Sequence, residues 1–205
     1  VVSKPHYRDP LIGLNRVIFV FNDYTYRYLL IPISKGYIWL VPARARKSVG
    51  NFFHNLKTPI YLANDLLQLK PKPFGRHLAR FLVNSTLGLG GLFDPAQAKL
   101  GLERTKTGFN DTLARYGAGY GVYLVLPIYG PSDLRHGAGL VADYFLNPIP
   151  YLIGTPESTA VMGYDSFQEF APGADKYKTL RREAQDPYIF FRNLHLQGAQ
   201  RDADR

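Results

Sequence analysis

Apolar residues recur at helical spacing along most of the chain, and proline and glycine separate these stretches from one another. Residues 10–30 form the first predicted helix, whose apolar residues are not confined to one face. One face carries Leu14, Val17, Ile18 and Phe21, and other faces carry Phe19, Val20, Tyr24 and Tyr28. A helix that is apolar on most sides must be buried in protein or in lipid. We expect Pro32 to end or bend this helix.

The same spacing predicts further helices with glycine or proline at or near their ends. They cover residues 42–56, 60–69, 75–87, 111–116, 132–146, 158–170, 176–185 and 187–196. Residues 70–73 are predicted as a basic turn, and residues 122–128 as an extended segment that Pro127 interrupts. Because no convincing run of alternating strand residues is present, the pattern predicts an all-α fold of several kinked helices with Gly/Pro-rich breaks.

Three Asp-Pro pairs predict helix starts. Aspartate accepts hydrogen bonds from the free N–H groups of a first helical turn, and proline fits the next position because its missing N–H costs nothing there. The pairs begin at Asp9, Asp94 and Asp186, and Ser132 is a fourth predicted cap. The glycines after residue 87 are predicted to stop the helix of residues 75–87 in a sharp, close-packed turn before Asp94.

The composition is that of one folded domain over residues 1–205, with residues 1–8 and 198–205 predicted as flexible tails. Hydrophobic residues make up 46% of the chain and charged residues 20%, which excludes a disordered protein. No apolar run approaches the roughly 18 residues of a transmembrane helix, so none is predicted. Cysteine is absent, which excludes disulfides and a thiolate nucleophile.

A net charge of +9, together with 15 Tyr and 13 Phe, leaves several kinds of partner open. The charge is compatible with nucleic acid, with an anionic lipid surface or with solubility alone. Tyrosine suits a membrane–water interface because it joins an apolar body to a polar tip, but it suits a Tyr-rich core as well. The basic residues are spread along the chain in no recognisable nucleic-acid-binding module, so we expect no nucleic-acid partner.

The sequence contains no convincing catalytic, metal or cofactor motif, so we expect the protein not to be an enzyme and to need no cofactor and no metal. The five histidines have no metal-ligand spacing, and no G-x-S-x-G nucleophile elbow occurs. Gly88-Leu-Gly-Gly91 lacks the Lys-Ser/Thr of a phosphate loop. His77 and His136 adjoin arginines, and we predict that both are solvated or lipid-facing basic residues.

Five stretches of the chain carry a further signal in their order and spacing. They are Asp9-Pro-Leu-Ile-Gly-Leu-Asn-Arg16 with Phe19-Val-Phe-Asn-Asp23, Asn51-Phe-Phe-His-Asn-Leu56 with Asn64-Asp-Leu-Leu-Gln68, Arg80-Phe-Leu-Val-Asn-Ser-Thr-Leu-Gly-Leu-Gly-Gly-Leu-Phe-Asp-Pro95, Gly117-Ala-Gly-Tyr-Gly-Val-Tyr-Leu-Val-Leu-Pro127 with Gly130-Pro-Ser-Asp-Leu-Arg135, and Asp186-Pro-Tyr-Ile-Phe-Phe-Arg192. Together they span nearly the whole chain and resemble the MlaA (VacJ) family of bacterial outer-membrane lipoproteins.

The resemblance implies a single ring-shaped all-α domain with an amphipathic central channel, lying in the periplasmic leaflet of the bacterial outer membrane. It implies that the protein takes mislocalised phospholipid from the outer leaflet and passes it to a soluble periplasmic lipid carrier. The implied neighbours are a trimeric porin and the membrane itself. A lipid anchor is implied as well, although the cysteine that would carry it is not in this chain.

On this resemblance we predict that residues 120–132 and the helix of residues 132–146 form part of the channel wall. The predicted channel residues are Asn22, Asp23, Tyr120, Tyr123, Leu124, Leu126, Ser132 and Arg135. Arg135 is expected to meet the lipid phosphate. Gly117, Gly119 and Gly121 are expected to give the channel a mobile entrance.

Alternatives stay open at three points. The three glycines are equally compatible with nothing more than tight packing. The polar pair Asn22 and Asp23, inside an apolar helix, can face the channel or bind neighbouring backbone. A protein of another class, a soluble periplasmic interaction module with an aromatic binding surface, is the rival to lipid transport.

Overall fold

Twelve α-helices and one β-hairpin make up the part of the chain that the computed structural model describes, residues 7–203. The first seven helices are α1 Ile12–Thr25, α2 Ile31–Leu40, α3 Ala43–Leu56, α4 Thr58–Leu67, α5 Pro71–Thr86, α6 Pro95–Leu100 and α7 Phe109–Arg115. The strands β1 Tyr123–Leu126 and β2 Gly130–Asp133 follow, and then α8 Leu134–Leu146, α9 Ile149–Leu152, α10 Glu157–Phe170, α11 Ala174–Glu183 and α12 Pro187–Ala203. The predicted mainly helical fold is confirmed.

Helices α1 and α2 are parts of one continuous helix, because a single π-helical turn, Tyr26–Leu30, joins them without a break. Pro32 lies in the first turn of α2, so it does not end the helix, and the alternative, that it bends the helix, stays a prediction. In a regular α-helix the proline ring would collide with the carbonyl four residues earlier, and the wider turn just before Pro32 gives the ring room. The apolar stretch therefore extends to Leu40.

Two of the predicted aspartate caps are confirmed. Asp94 accepts a hydrogen bond from the backbone N–H of Gln97 at 3.1 Å, and Asp186 accepts one from that of Ile189 at 3.2 Å. The prediction for Asp9 is wrong, since the first helix begins three residues later without a side-chain cap. Asp9 instead accepts hydrogen bonds from the Tyr188 and Arg192 side chains, which ties this part of the chain to α12.

The cap of α8 is Asp133 and not Ser132, which corrects another prediction. The Asp133 carboxylate accepts from the backbone N–H of His136 at 2.9 Å. Ser132 is fully buried in strand β2, where it pairs with Leu124 in the antiparallel hairpin. Residues 130–133 pair with β1 and therefore form a strand. The helix begins only after them, later than the sequence pattern predicts.

The turn between α5 and α6 is as sharp and close-packed as predicted. Asn84 donates to the Asp94 carboxylate at 3.0 Å, and Arg80 donates to the other oxygen of the same carboxylate at 2.7 Å. Gly91 has φ +97, and a Cβ there would lie 2.4 Å from Cβ of Asn55. Only glycine fits a position that combines a left-handed backbone with so close an approach.

Two other element boundaries differ from the prediction, and a third agrees with it. Residues 70–73 contain the start of α5 at Pro71, because proline is tolerated in a first helical turn. Residues 171–173 form a short 3-10 turn between α10 and α11, as their Ala-Pro-Gly sequence predicts. Helix α12 does not end at residue 196 but runs on to Ala203, with Ala199 buried. The predicted tail of residues 1–8 lies mostly outside the described residues.

Polar side chains fill much of the interior. More polar and charged residues than apolar ones are buried among the described residues, and the largest apolar cluster is small. Asn15 and Asn22 lie two turns apart on α1, and both bind the backbone of β1 and the turn after it. An asparagine amide offers the same donor and acceptor as a peptide group, so these two side chains act as a neighbouring strand would.

Large apolar side chains are exposed along much of the outer surface. The most exposed include Trp39, Leu69, Leu40, Leu87, Tyr151, Leu152, Val17 and Tyr28. Monomeric proteins in water rarely expose apolar area on this scale. Among the described residues, no helix has the length and apolar character needed to cross a membrane. The exposed apolar residues belong to elements along the described chain, from α1 to α12, and a ring-shaped domain is consistent with this fold.

Candidate functional site

An apolar cavity of about 670 Å³ lies between the π-helical turn, the hairpin turn, α8 and α10. Its walls are mainly aromatic and aliphatic, and Ser166 and Glu169 are the polar side chains among the residues that line it. The apolar walls include Leu30, Ile128, Leu140, Phe167 and Phe170. A space of this size and lining suits hydrocarbon and offers few groups that would hold a polar molecule.

A second cavity of about 550 Å³ has the opposite character. Four basic side chains line it, those of Arg46, Lys47, Arg104 and Lys106. Glu169 is the acidic side chain among its lining residues. Such a concentration of positive charge in a concave surface attracts anions. Glu169 lines both cavities, so an apolar space and a basic space border the same residue.

Glu169 is held at this junction by two lysines. Lys106 Nζ lies 2.8 Å from each of its carboxylate oxygens, and Lys57 Nζ lies 3.2 Å from one of them. Lys57 also donates to Asp165 at 2.6 Å. Burial raises the pKa of Glu169, but the two lysines outweigh burial and leave its pKa below the ordinary value. The carboxylate is therefore charged at neutral pH.

The hairpin turn reaches the apolar cavity because α1 holds its backbone. The Asn22 amide donates to the carbonyl of Leu126 at 2.8 Å and accepts from the N–H of Ile128 at 2.7 Å. The Tyr26 hydroxyl donates to the Ile128 carbonyl at 2.5 Å. Partial burial, followed by the charges of Glu169 and then Asp143, raises the pKa of Tyr129, so this phenol is neutral at neutral pH.

The predicted channel segments contribute to the wall of the apolar cavity. Residues 120–132 supply Pro127, Ile128 and Tyr129, and the helix that follows supplies Leu140. These particular residues were not among those named from the sequence. Pro127, Ile128 and Tyr129 lie at the hairpin tip. This tip can be recognised only when Pro127 is known to lie in a turn between two paired strands.

The residues named from the sequence lie behind that wall. Tyr123 and Ser132 are fully buried, Tyr120, Leu124 and Leu126 are half-buried, and Asn22 is buried against the hairpin backbone. None of these six lines the apolar cavity or the basic cavity. Asn22 is thus placed as the alternative interpretation had it, bound to neighbouring backbone.

The two charged residues that were predicted to line the channel, Asp23 and Arg135, form hydrogen bonds with other parts of the fold. Asp23 accepts from Tyr177 at 3.0 Å and from Arg181 at 2.8 Å, which links α1 to α11. Arg135 is buried and donates to the carbonyls of Ala118 and Ala199 at 2.9 and 2.8 Å. A role for Arg135 in meeting phosphate would require both of these contacts to break.

The three predicted hinge glycines lie in the loop between α7 and β1. Gly117 and Gly121 have φ values of +84 and +73, and a Cβ on Gly121 would lie 3.2 Å from Cβ of Leu134. Gly117 and Gly119 have open space around them. Tight packing can therefore explain the need for glycine only at position 121. At Gly117 and Gly119 a Cβ would meet no other atom within 4 Å.

The basic cavity was missed by sequence reasoning. Asp165 and Glu169 are four residues apart and so share one face of α10, which is a weak signal of an acidic site. Their lysine partners, Lys57 and Lys106, are 63 to 112 residues away in the chain. Nothing in the sequence pairs residues over that separation, so only the tertiary structure brings the cluster together.

One group of three side chains among the described residues has the composition of a metal site: Asp133, His136 and His195. The same Asp133 oxygen lies 2.7 Å from a ring nitrogen of each histidine. Two ligands of one tetrahedral zinc ion are about 3.3 Å apart, since each lies about 2.0 Å from the metal. The shorter separations fit hydrogen bonds, which join α12 to the start of α8.

The predicted environments of two histidines are wrong. His136 is half-buried and bound to Asp133, as described above. His77 is buried, and its Nδ1 lies 2.5 Å from the Asp65 carboxylate. An arginine next to a histidine in sequence points to a different side of a helix, so the neighbouring charge gives no information on exposure.

Comparisons with known proteins agree on one family. The family model "MlaA lipoprotein" matches residues 7–202. A Haemophilus influenzae protein named "Intermembrane phospholipid transport system lipoprotein MlaA" is 34% identical over 94% of this chain and 78% of its own length. The Escherichia coli K12 protein of the same name is 36% identical over 92% of this chain and 76% of its own length.

A solved structure is similar as well. It is described as "Structural basis for maintenance of bacterial outer membrane lipid asymmetry", with a TM-score of 0.82 and 34% sequence identity. The match covers 96% of this chain and 100% of that one. The likeness therefore extends over the whole described fold, including the helices that surround the two cavities.

Proposed function

Because this chain belongs to the MlaA lipoprotein family, we propose that it moves phospholipid as the outer-membrane component of a lipid-asymmetry pathway. It takes mislocalised phospholipid from the outer leaflet and passes it to a soluble lipid carrier in the periplasm. The relatives' names favour this function over the soluble interaction module. A lipid-transport role requires no cofactor and no covalent chemistry, and we propose that the protein is not an enzyme.

The observation that carries the proposal is the meeting of an apolar cavity and a basic cavity at Glu169. A phospholipid has apolar tails and a phosphate-bearing head. Moving that head through hydrocarbon is costly because its polar groups lose their hydrogen bonds. The basic cavity offers the head charged partners, and the apolar cavity offers the tails an environment like their own. The pair thus forms an amphipathic passage.

The outer surface supports a position within a membrane leaflet. Side chains such as Trp39, 87% exposed, and Leu40, 72% exposed, would be costly to leave in water. A protein that lies in the interface plane with its apolar side chains in lipid removes that cost. We propose the periplasmic leaflet of the outer membrane as its location, with a lipid anchor carried upstream of this chain and a trimeric porin as its neighbour.

We propose that the loop containing Gly117 and Gly119 is the mobile entrance to this passage. It directly precedes β1, whose far end carries the hairpin tip that lines the apolar cavity. A change in the loop would therefore move the cavity wall. Because neither glycine has a neighbour within 4 Å of the Cβ position, the loop has room to change conformation. The whole chain is proposed to act as one domain.

The passage can be tested by filling it. Gly163 lines the apolar cavity, and a Cβ there meets nothing within 4 Å, so Gly163→Leu adds a side chain to the cavity without a clash. We expect transfer of fluorescent phospholipid between vesicles and an acceptor to fall about tenfold, since a bulky side chain obstructs the tails. Gly13→Leu is the matched control, because Gly13 is also an exposed, helical glycine with open space around it.

Unchanged transfer by Gly163→Leu, with Gly13→Leu as a reference, would remove the cavity from the mechanism. The function itself is tested by mass spectrometry of lipid that co-purifies with the wild-type protein in mild detergent. We expect bound phospholipid. A protein that stays monomeric without detergent and carries no phospholipid would instead support the interaction module.

A further inference from the structure

Glu169 lies among the positive charges of the basic cavity. Four cations line the basic cavity, and Lys57 lies beside it as a fifth. The Glu169 carboxylate contacts two of these five, Lys57 and Lys106. The cavity therefore keeps an excess of positive charge even with Glu169 in place. An anion of similar charge that entered the cavity would compete with this carboxylate.

The contacts of these cations divide them into fixed and exchangeable ones. Arg104 donates to Asn51 and to the carbonyl of Gly50, and Arg46 donates to the carbonyl of Val41. Those contacts hold the arginines to the wall of the cavity, whatever anion is present.

The lysines that hold Glu169 differ from the arginines. Lys106 has a half-exposed side chain whose contacts in the described part of the chain go to Glu169, and Lys57 keeps Asp165 as a second partner. A lysine ammonium is a compact point charge that exchanges anions readily, unlike a bidentate arginine. The contact that can exchange at lowest cost is therefore the one between Lys106 and Glu169.

We propose that Glu169 is an internal substitute for the lipid phosphate, and that an arriving phosphodiester displaces its carboxylate from Lys106. This inference rests on the proposed function. At Lys106 the exchange replaces one singly charged anion by another, and the displaced carboxylate keeps Lys57 as its partner. It also frees the side chain that lies between the two cavities, which joins them into one passage when a headgroup is present.

The geometry favours a lipid phosphodiester over free phosphate. Glu169 lines both cavities, so an anion bound at Lys106 lies at the edge of the apolar space. Acyl chains attached to that anion can enter the apolar cavity and add hydrophobic stabilisation, because their surface is removed from water. Inorganic phosphate has only the charge interaction to offer and is expected to bind weakly.

The test compares Glu169→Gln with Glu157→Gln. Glu157 is an exposed acid on the same helix, in its first turn, so the control makes the same change of charge away from the cavity. The probe is dihexanoyl phosphatidylglycerol, titrated into the detergent-solubilised full chain, with inorganic phosphate as a second ligand. We expect Glu169→Gln to bind the lipid about tenfold more tightly, because its lysines lose a competing anion, and Glu157→Gln to match the wild type.

Two further variants keep the result interpretable. Lys106→Gln removes a half-exposed lysine, which the fold tolerates, and is expected to weaken lipid binding. In the double variant Lys106→Gln/Glu169→Gln the gain from Glu169→Gln should disappear, because the exchanging cation is gone. The exchange would be overturned if the gain in lipid affinity survived in the double variant, or if Glu169→Gln bound lipid no more tightly than Glu157→Gln. In either case, lipid transfer by the wild-type protein would leave the proposed function standing.

The remaining outcomes are also decisive. Inorganic phosphate that binds Glu169→Gln as tightly as the short-chain lipid would contradict the part played by the acyl chains. Wild-type protein that neither binds nor transfers phospholipid would overturn the proposed function, and this inference with it.

Discussion

The interior and the outer surface of this fold have exchanged their usual roles. Helix α1 shows both: Asn15 and Asn22 are buried on one side, whereas Val17, Val20 and Phe21 are exposed on the others. In a protein surrounded by water the apolar residues would be buried and the asparagines exposed. The same chain therefore has hydrogen-bonded polar groups inside and apolar side chains outside.

The difference teaches what holds such a fold together. Lipid is as apolar as a leucine side chain, so burying leucine against another helix gains little for a protein that lies in a leaflet. An unpaired backbone group away from water, by contrast, costs about 1–3 kcal/mol. Hydrogen bonds to the hairpin and to the glycine turn therefore specify the structure, and the exposed apolar residues contribute less to it.

The largest expected effect comes from breaking a buried ion pair of the interior. Asp94 and Arg80 have side chains only 9% and 4% exposed and lie 2.7 Å apart. Asp94→Ala leaves Arg80 buried without its counter-charge and removes the cap of α6, so we expect a loss of about 4 kcal/mol in the free energy of unfolding. The measurement is urea unfolding in mild detergent.

The matched control is Asp186→Ala. Asp186 also precedes a proline and also caps a helix, but its partner Arg16 is almost half exposed. The loss should be about 1 kcal/mol, from the cap alone. Equal losses in the two variants would show that burial of the pair does not matter.

Next in size is the loss of one of the asparagines that replace a strand. The Asn15 amide donates to the carbonyl of Tyr123 at 3.1 Å and accepts from the N–H of Val125 at 3.0 Å. Asn15→Leu leaves both backbone groups buried and unpaired, so we expect about 3 kcal/mol of destabilisation, measured by the same unfolding assay. A neutral or stabilising effect would mean that the interior follows the rules of an ordinary apolar core.

The interior should also be sensitive to acid. Burial raises the pKa of Asp94, but the hydrogen bonds from Arg80, Asn84 and Gln97 outweigh burial and lower its pKa below the ordinary value. The folded state then binds fewer protons than the unfolded state, so this stability is present above about pH 4 and is lost as the pH falls through the lowered pKa. The difference in the free energy of unfolding between the wild type and Asp94→Asn should therefore become smaller from pH 6 to pH 3. A difference that grows would contradict this sign.

The smallest effect on stability is expected at the outer surface. Trp39 is 87% exposed, so Trp39→Ser should change the free energy of unfolding by no more than about 0.5 kcal/mol. Vesicle sedimentation should nevertheless show about tenfold weaker membrane binding, since the indole no longer enters the interface. Ile31→Ser, on the same helix but buried, should destabilise the fold instead. Undiminished membrane binding by Trp39→Ser would place that surface outside the lipid.

The sequence by itself determined most of the helical elements, two of the aspartate caps and the glycine turn before Asp94. These features depend on residues within a few positions of one another, and the free N–H groups of a first turn or the positive φ of Gly91 select the side chain locally. The ordered motifs were also enough to indicate the family, because they follow one another along the chain in the family's spacing.

The tertiary structure alone decided which side of each helix faces inward and which charges meet. Asn22 belongs to the hairpin because residues 126 and 128 lie beside α1, and Glu169 meets Lys106 although 63 residues separate them. Helical spacing shows that two kinds of face exist, but it gives the same pattern whether water or lipid surrounds the protein. The environment sets which face is buried, and chain folding sets the partners, so neither can be obtained from the order of residues.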